Sequence, residues 1–571
     1  KIDPTKLNIP TDRKMNLTGM FTNSNVISDI DLPSNIGNVS EMFRNCKNVT
    51  TYKNNWDKTY ENEIITTNCY LGTGGDLELV PVPWGGYGFF DDVTSEIVVR
   101  ILKDDYEVTL ANSSKTTTEY GLVNWGDGDI SSMNGSHKHV YEKAGTYTIK
   151  GHFTFGGSVC NTSLSSILIE VKHIAGSTTN LTTAFRYCSS LQKVNLNGLS
   201  VKSMDLAFGG CRSLTSVICN NIDTSNLVNC SSAFDGCINL VSLNLSAFDA
   251  SSIATTSKMF NGCTSLTNLN LNGWKTSKLL NMSSMFNSCK SLKTLDLSSF
   301  DTRLVSDMSS LFYDCNSLIE LNVSSFSTSV VDDMSAMFYG CSSLVDLDLS
   351  SFNTINVNTM KNMFRNCLVL ENLNVSKFNT DKVKDASGMF RDCRVIKVLD
   401  LSNFTMKSVE TIESMFHECQ KLKELNISNL NTANVTTMYN LFYNCHALTE
   451  LDLSSFDTSN VENMSYMFYD CNKLTSLNLS NFITNKVNTL NYMFWSCKSL
   501  QSLIIPFDTT NVLTMSNTFF GCNSLTELDL STFNTSNVQH MGYMFGNCSS
   551  LTSLKLSSFN TSHVPRLFTI S

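Results

Sequence analysis

Leu441-Phe442-Tyr443-Asn444-Cys445-His446-Ala447-Leu448-Thr449-Glu450-Leu451-Asp452-Leu453-Ser454-Ser455-Phe456-Asp457-Thr458-Ser459-Asn460-Val461-Glu462-Asn463-Met464-Ser465 holds one pass of a motif that recurs along most of the chain. Phe442, Cys445 and Leu448 stand three apart, which predicts an apolar stripe on a short helical turn. Leu451-Asp452-Leu453 alternates apolar and polar, as a short strand with one face inward does. Around a second anchor, Phe456, lie Ser, Asp, Thr and Asn, whose side chains close turns on their own backbone.

The cysteines set the period. From Cys211 they recur every 26 residues to Cys497, then step to Cys522 and Cys548. Cys188 precedes the series, Cys46 sits in an isolated degenerate copy, and Cys69, Cys160, Cys219 and Cys230 fall outside it. Each series cysteine has Phe three residues before it, and a Phe anchor recurs from Phe248 to Phe559, replaced by Trp274 and Leu430. No unit can bury its stripe alone, so neighbours must stack. The reading is an α/β repeat solenoid over residues 173–571, with about fifteen units and a length near ~70 Å at ~4.8 Å per stacked strand. Equivalent side chains in such a stack run parallel, whereas a disulfide needs converging Cβ atoms about 3.8 Å apart. The series is therefore read as a ladder of buried free thiols; Cys219 and Cys230 are compatible with pairing or with free thiols.

The chain has 571 residues, 42% hydrophobic and 16% charged, with a formal net charge of -10. That balance supports a large core and excludes nucleic acid as a partner, which needs a concentrated Lys/Arg patch. No apolar run is long enough to span a membrane. Lys1-Ile2-Asp3-Pro4 has neither an apolar signal core nor a lipid-acceptor Cys, so an export signal is expected to have been removed or never to have belonged to the chain.

Residues 91–172 break the period. Glu96–Ile101, Tyr106–Leu110, Leu122–Asn124, His137–Tyr141, Gly145–Lys150 and Ile167–Val171 read as short strands bounded by turn residues, a small all-β sandwich. Before it, Met20-Phe21 and Met42-Phe43 mark degenerate repeats in 1–50, and 51–90 reads as an irregular connector in which Trp56, Trp84 and Tyr87 pin the chain to its neighbour.

The Met-Phe-x-x-Cys-x-x-Leu-x-x-Leu-Asp-Leu-Ser and Phe-Asp-Thr-Ser-Asn-Val pattern of 174–568 resembles the BspA-like leucine-rich repeat surface proteins. The Trp125-Gly126-Asp127-Gly128 turn with His139-Val140-Tyr141 and Gly145-Thr146-Tyr147-Thr148-Ile149 resembles a PKD-type, immunoglobulin-like domain. The resemblance implies a secreted or surface-exposed bacterial protein, often an adhesin, whose partner is a host or neighbouring-cell surface protein or glycan. A second expectation is a bacteriophage virion fibre or capsid decoration protein that grips the bacterial surface.

No nucleophile elbow, zinc-protease helix or phosphate loop occurs, so no enzyme and no cofactor is expected. Asp127-Gly128-Asp129 is read as a capped turn rather than a calcium loop, and His137-x-His139 as a structural strand rather than a metal site. The Asn-x-Ser/Thr sequons (Asn48, Asn244, Asn322, Asn374) follow from the repeat itself. The candidate site is the polar position between the last two strand leucines: Asp296, Asn322, Asp348, Asn374, Asp400, Asn426, Asp452 and Asn478, alternating without a miss. Interleaved Asn keeps carboxylates from standing opposite one another on adjacent strands and offers amide donors to those on both sides. Glu424 and Glu450, two positions earlier, add to an acidic sheet face suited to a basic protein surface or to a glycan.

Overall fold

A computed structural model describes residues 15–16, 29–32, 36–38, 51–54, 95–110, 122–132, 137–151, 163–174 and 179–562. Cys69, Trp56, Trp84, Tyr87 and both degenerate Met-Phe pairs lie outside them. The chain divides into two compact units, Lys1–Asn226 and Leu227–Ser571.

In the first unit, Met15–Asn16 pairs with Ile36–Asn38 and Asp29–Leu32 with Thr51–Asn54, both in parallel. Ser95–Ile101 is the centre of a seven-stranded sheet, pairing antiparallel with Gly145–Gly151 and with Leu168–His173. Leu122–Asn124 and Ile130–Ser132 extend one side. On the other, Leu168–His173 pairs in parallel with Lys193–Asn195 and this with Ser216–Ile218, so the first coils of the repeat continue the sheet. Tyr106–Leu110 and His137–Tyr141 form a separate antiparallel pair. Ile97, Val99, Ile101, Val108, Trp125, Tyr141 and Ile149 are buried between these strands.

The second unit is a stack of coils in which every 26-residue repeat lays equivalent residues on one another. Its strands are three residues long and pair two by two: Ser242–Asn244 with Asn268–Asn270, Thr294–Asp296 with Glu320–Asn322, Asp346–Asp348 with Asn372–Asn374, Val398–Asp400 with Glu424–Asn426. Among the described residues no strand ladder joins one pair to the next. The middle leucine is buried in the first strand of each pair (Leu295, Leu347, Leu399) and half-buried in the second (Leu321, Leu373, Leu425).

The α/β expectation is corrected here: no described residue is helical. The Phe-x-x-Cys-x-x-Leu stripe is a chain of tight turns. Cys289 N donates to Phe286 O at 3.1 Å and Leu292 N to Cys289 O at 3.2 Å, but Phe286 N and Ser288 N donate to Leu311 O and Tyr313 O of the next coil. Alternate amides thus leave the helical i→i−4 path. Left-handed backbone two residues either side of Phe, as at Ser284 (φ 55°) and Ser288 (φ 59°), enforces it, since a right-handed helix cannot include such residues.

Three side-chain ladders hold the coils. Phe rings stack coil on coil, for example Phe286 on Phe312 at 5.7 Å and Phe416 on Phe442 at 5.5 Å. The ladder cysteines from Cys263 to Cys522 are buried, and each donates its Sγ–H to a Phe carbonyl of an earlier coil, as Cys367 does to Phe338 O at 3.2 Å, while Cys548 at the end is half-buried. Burial pushes the thiols of Cys263, Cys315 and Cys367 up to about 12. Cys219 and Cys230 are buried and reduced, but Cys188 is disulfide-bonded, so the thiol ladder does not reach back to it. The third ladder is threonine: Thr354 Oγ1 donates to Asn379 O and accepts from Asn379 N, both at 2.7 Å, and Thr302, Thr328, Thr432, Thr458 and Thr509 repeat the donor half.

Candidate functional site

The alternating strip lies on the outer face of the strand pairs. Asp296, Asn322, Asp348, Asn374, Asp400, Asn426, Asp452 and Asn478 are all exposed. Each side chain accepts the backbone N–H two residues on: Asp296 from Ser298 at 3.0 Å, Asn374 from Ser376 at 3.2 Å, Asp452 from Ser454 at 2.9 Å, Asn478 from Ser480 at 3.0 Å. These amides hold Asp296, Asp348 and Asp452 below the usual carboxylate range, so the strip stays anionic at neutral pH. Asn322 and Asn374 serve the carboxylates of their pair partners Asp296 and Asp348.

The phase of the pairing slips once. After Val398–Asp400 and Glu424–Asn426, the next pair should begin at 450–452. Those residues form no strand, and Ser476–Asn478 pairs with Ser502–Ile504 instead. Two departures from the repeat converge on this place, beside a pair of like charges. Met406 occupies the threonine position, fully buried with φ 46°, and interrupts the hydroxyl ladder. Leu430 replaces the anchor ring, so the stack Phe326–Phe352–Phe378–Phe404 stops there. Glu424 and Glu450 put carboxylates at the same position of successive coils, as Glu320 and Asp346 do across the boundary between two regular pairs, and this disfavours pairing. A second ladder of single bridges runs from Asn229 to Thr411, is broken between Thr411 and Thr437, and resumes to His540.

A groove of about 960 Å³ opens at the slip. It brings together Asp400, Glu424, Asn426, Glu450, Asp452 and Asn478, over a floor that includes the half-buried Leu425 and Leu451 and the exposed Val398. Lys423 is the one cation among its described lining residues. Asp296, Asn322, Asp348 and Asn374 lie outside it. Toward the C-terminal end the strip loses its acid character, with Ile504 exposed and Asp529 paired to Lys555 at 2.7 Å.

Sequence reading passed over a second surface, although the residue after each ladder Phe signals it. Tyr313 stacks on Tyr339 at 4.4 Å, and His417, Tyr443, Tyr469 and Trp495 stack in series at 4.3–4.5 Å. Rings stacked this closely cover one another's faces and present edges, which leaves no platform for a sugar ring. Burial, with the Arg391 cation beside it, holds His417 at about 4, so it stays neutral there.

In the first unit, Asp127, Asp129 and His139 gather within 4.8 Å. His139 Nε2 stands 2.6 Å from Asp127 Oδ2, a direct hydrogen bond, and its ring stacks on Trp125 at 4.8 Å. Asp127 Oδ1 accepts from Asp129 N at 3.1 Å, and the buried Tyr141 hydroxyl donates to Trp125 O at 2.8 Å. Gly126 (φ 82°) is required, because a Cβ there would meet Thr148 O at 2.5 Å. This is a turn locked by its own side chains. The side chain of His137 lies outside the described residues.

These features define a leucine-rich-repeat β-solenoid of coils carrying an exposed polar strip. The chain belongs to the family described as Mycoplasma protein of unknown function, DUF285, whose model matches residues 179–295, 282–399, 387–482 and 472–570. A model of the BspA type leucine rich repeat region matches residues 3–73. No curated protein matches the chain. Among solved structures, a leucine-rich repeat protein from Bacteroides ovatus is 15% identical, with a TM-score of 0.33, over 70% of this chain and 88% of that one. A leucine rich cell surface protein from Faecalibacterium prausnitzii is 14% identical, with a TM-score of 0.26, over 70% of this chain and 92% of that one. The families matched are repeat families, and no helix among the described residues is long and apolar enough to cross a membrane.

Proposed function

We propose that the chain is a non-enzymatic, extracellular surface protein that binds a protein ligand of basic surface through its strand face, with residues 91–172 as a PKD-type spacer between N-terminal repeats and the main array. The carrying observation is the unbroken run of exposed Asp and Asn from Asp296 to Asn478, each fixed in place by a backbone amide. A preorganised row of side chains costs little entropy to engage, and its charge complements lysine and arginine. The match to BspA-type repeats supports the surface reading. The stacked tyrosines, which offer edges rather than faces, favour protein over glycan.

Immobilised full-length chain should retain an oligolysine peptide and release oligoglutamate and neutral glycans. Retention should weaken as salt rises and as pH falls below the ordinary carboxylate range, where the depressed strip aspartates finally take up protons and lose their charge. Retention of neutral glycans without oligolysine would replace the protein ligand by a glycan.

A further inference from the structure

We infer that the strip has a centre, the groove at the phase slip, and that this groove takes an extended, lysine- or arginine-rich segment of the partner. The inference rests on the binding face proposed above. Asp400, Glu424, Glu450 and Asp452 supply carboxylates from three successive coils, as Asp296, Glu320, Asp346 and Asp348 do earlier on the strip, and the groove differs from that stretch in its open floor.

The floor matters as much as the rim. Within a strand pair, one leucine of the two is covered. At the slip Leu425 and Leu451 are both half-buried, in consecutive coils, beside Val398, which is 56% exposed. Lysine and arginine have this same split character, an aliphatic stem with a charged head. Stems laid across Leu425 and Leu451 would carry their cations to Glu424 and Glu450. The residues 450–453 also lack strand pairing with either neighbour, so no ladder closes the floor.

Met406 and the loss of the anchor ring at Leu430 fall together at the groove and at no other coil of the second unit. A threonine at 406 would carry the hydroxyl ladder across this coil. Met406 in left-handed backbone donates its N–H to Thr380 Oγ1 at 3.1 Å and offers no hydroxyl to the next coil.

The test uses the full chain, with oligolysine as probe and two triple variants. Glu424→Gln, Glu450→Gln and Asp452→Asn together remove three groove charges; Asn caps Ser454 as Asp does, so folding is preserved. Asp296→Asn, Glu320→Gln and Asp348→Asn remove three charges from the regular strip. The groove variant should lose about tenfold in affinity and the strip variant about twofold, the share owed to general charge. A third variant, Met406→Thr, should also lose about tenfold, although every carboxylate remains. Equal losses from the two triple variants would overturn the groove as centre and leave the strip as a binding face. Native affinity in Met406→Thr would overturn the slip as the origin of the groove. Failure of the native chain to bind oligolysine would overturn the binding face itself.

Discussion

Two polar residues of the repeat act in opposite surroundings. The strip Asp or Asn is exposed and caps an amide two residues on, a task that either residue performs equally. Replacing Asp348, Asp400 and Asp452 by Asn together should therefore leave the thermal midpoint within a degree or two, and a larger drop would mean that the carboxylates do more than cap. The ladder threonine is buried and joins two coils with one hydroxyl. Thr354→Val keeps the shape but strands the Asn379 N–H and C=O, and denaturant titration should record a loss of about 1–3 kcal/mol. The strip was legible from its position between strand leucines. The threonine's role was also legible, as Thr two residues after nearly every anchor Phe, Phe248 and Phe404 excepted, but the turn chemistry of its neighbours hid it.

At the scale of the element, period and strand were legible because both follow from spacing. The helical turn was not. Phe, Cys and Leu at every third residue fit a helix face and a chain of successive tight turns equally well. The distinguishing signal is the residue two after Phe, where Asp314, Gly340, Asn366, Asp392, Asn444 and Gly521 hold left-handed backbone. Asp, Asn and Gly are the residues that tolerate it, and their recurrence there excludes a helix. Pairing of strands two by two was half legible. The Asp/Asn alternation has the same 52-residue period as the pairs, yet alternation alone does not say which neighbour is joined. The slip was not legible, since Met406, Leu430 and Glu450 are each ordinary substitutions taken singly.

For the whole molecule, the thiol ladder ties stability to alkalinity. Unfolded cysteines ionise near pH ~8.5, while burial holds Cys263, Cys315 and Cys367 at about 12. A pKa raised by folding means that its contribution is intact below the unfolded value and is lost as pH rises toward the folded one. Each buried thiol then costs about 1.4 kcal/mol per pH unit above that point, and the costs add along the ladder. The chain should hold its fold at pH 8 with its ladder thiols unreactive toward iodoacetamide, and unfold cooperatively between about pH 9 and 10.5 with all of them exposed at once. Stability unchanged to pH 11, or rapid alkylation at pH 8, would show that the ladder is not sealed.

The broken bridge between Thr411 and Thr437 has a mechanical consequence. Coils on either side are ordered blocks whose strand pairs are out of step by one coil, as two crystal grains meet at a stacking fault. Under a load applied to the ends of the second unit the weakest plane yields first, and here one plane keeps the strand pair of Val398–Asp400 with Glu424–Asn426 but has lost a bridge, a threonine bond and a stacked ring. The array would tear at the coil that carries Met406 before any regular coil unwound, with the proposed ligand seated across the seam.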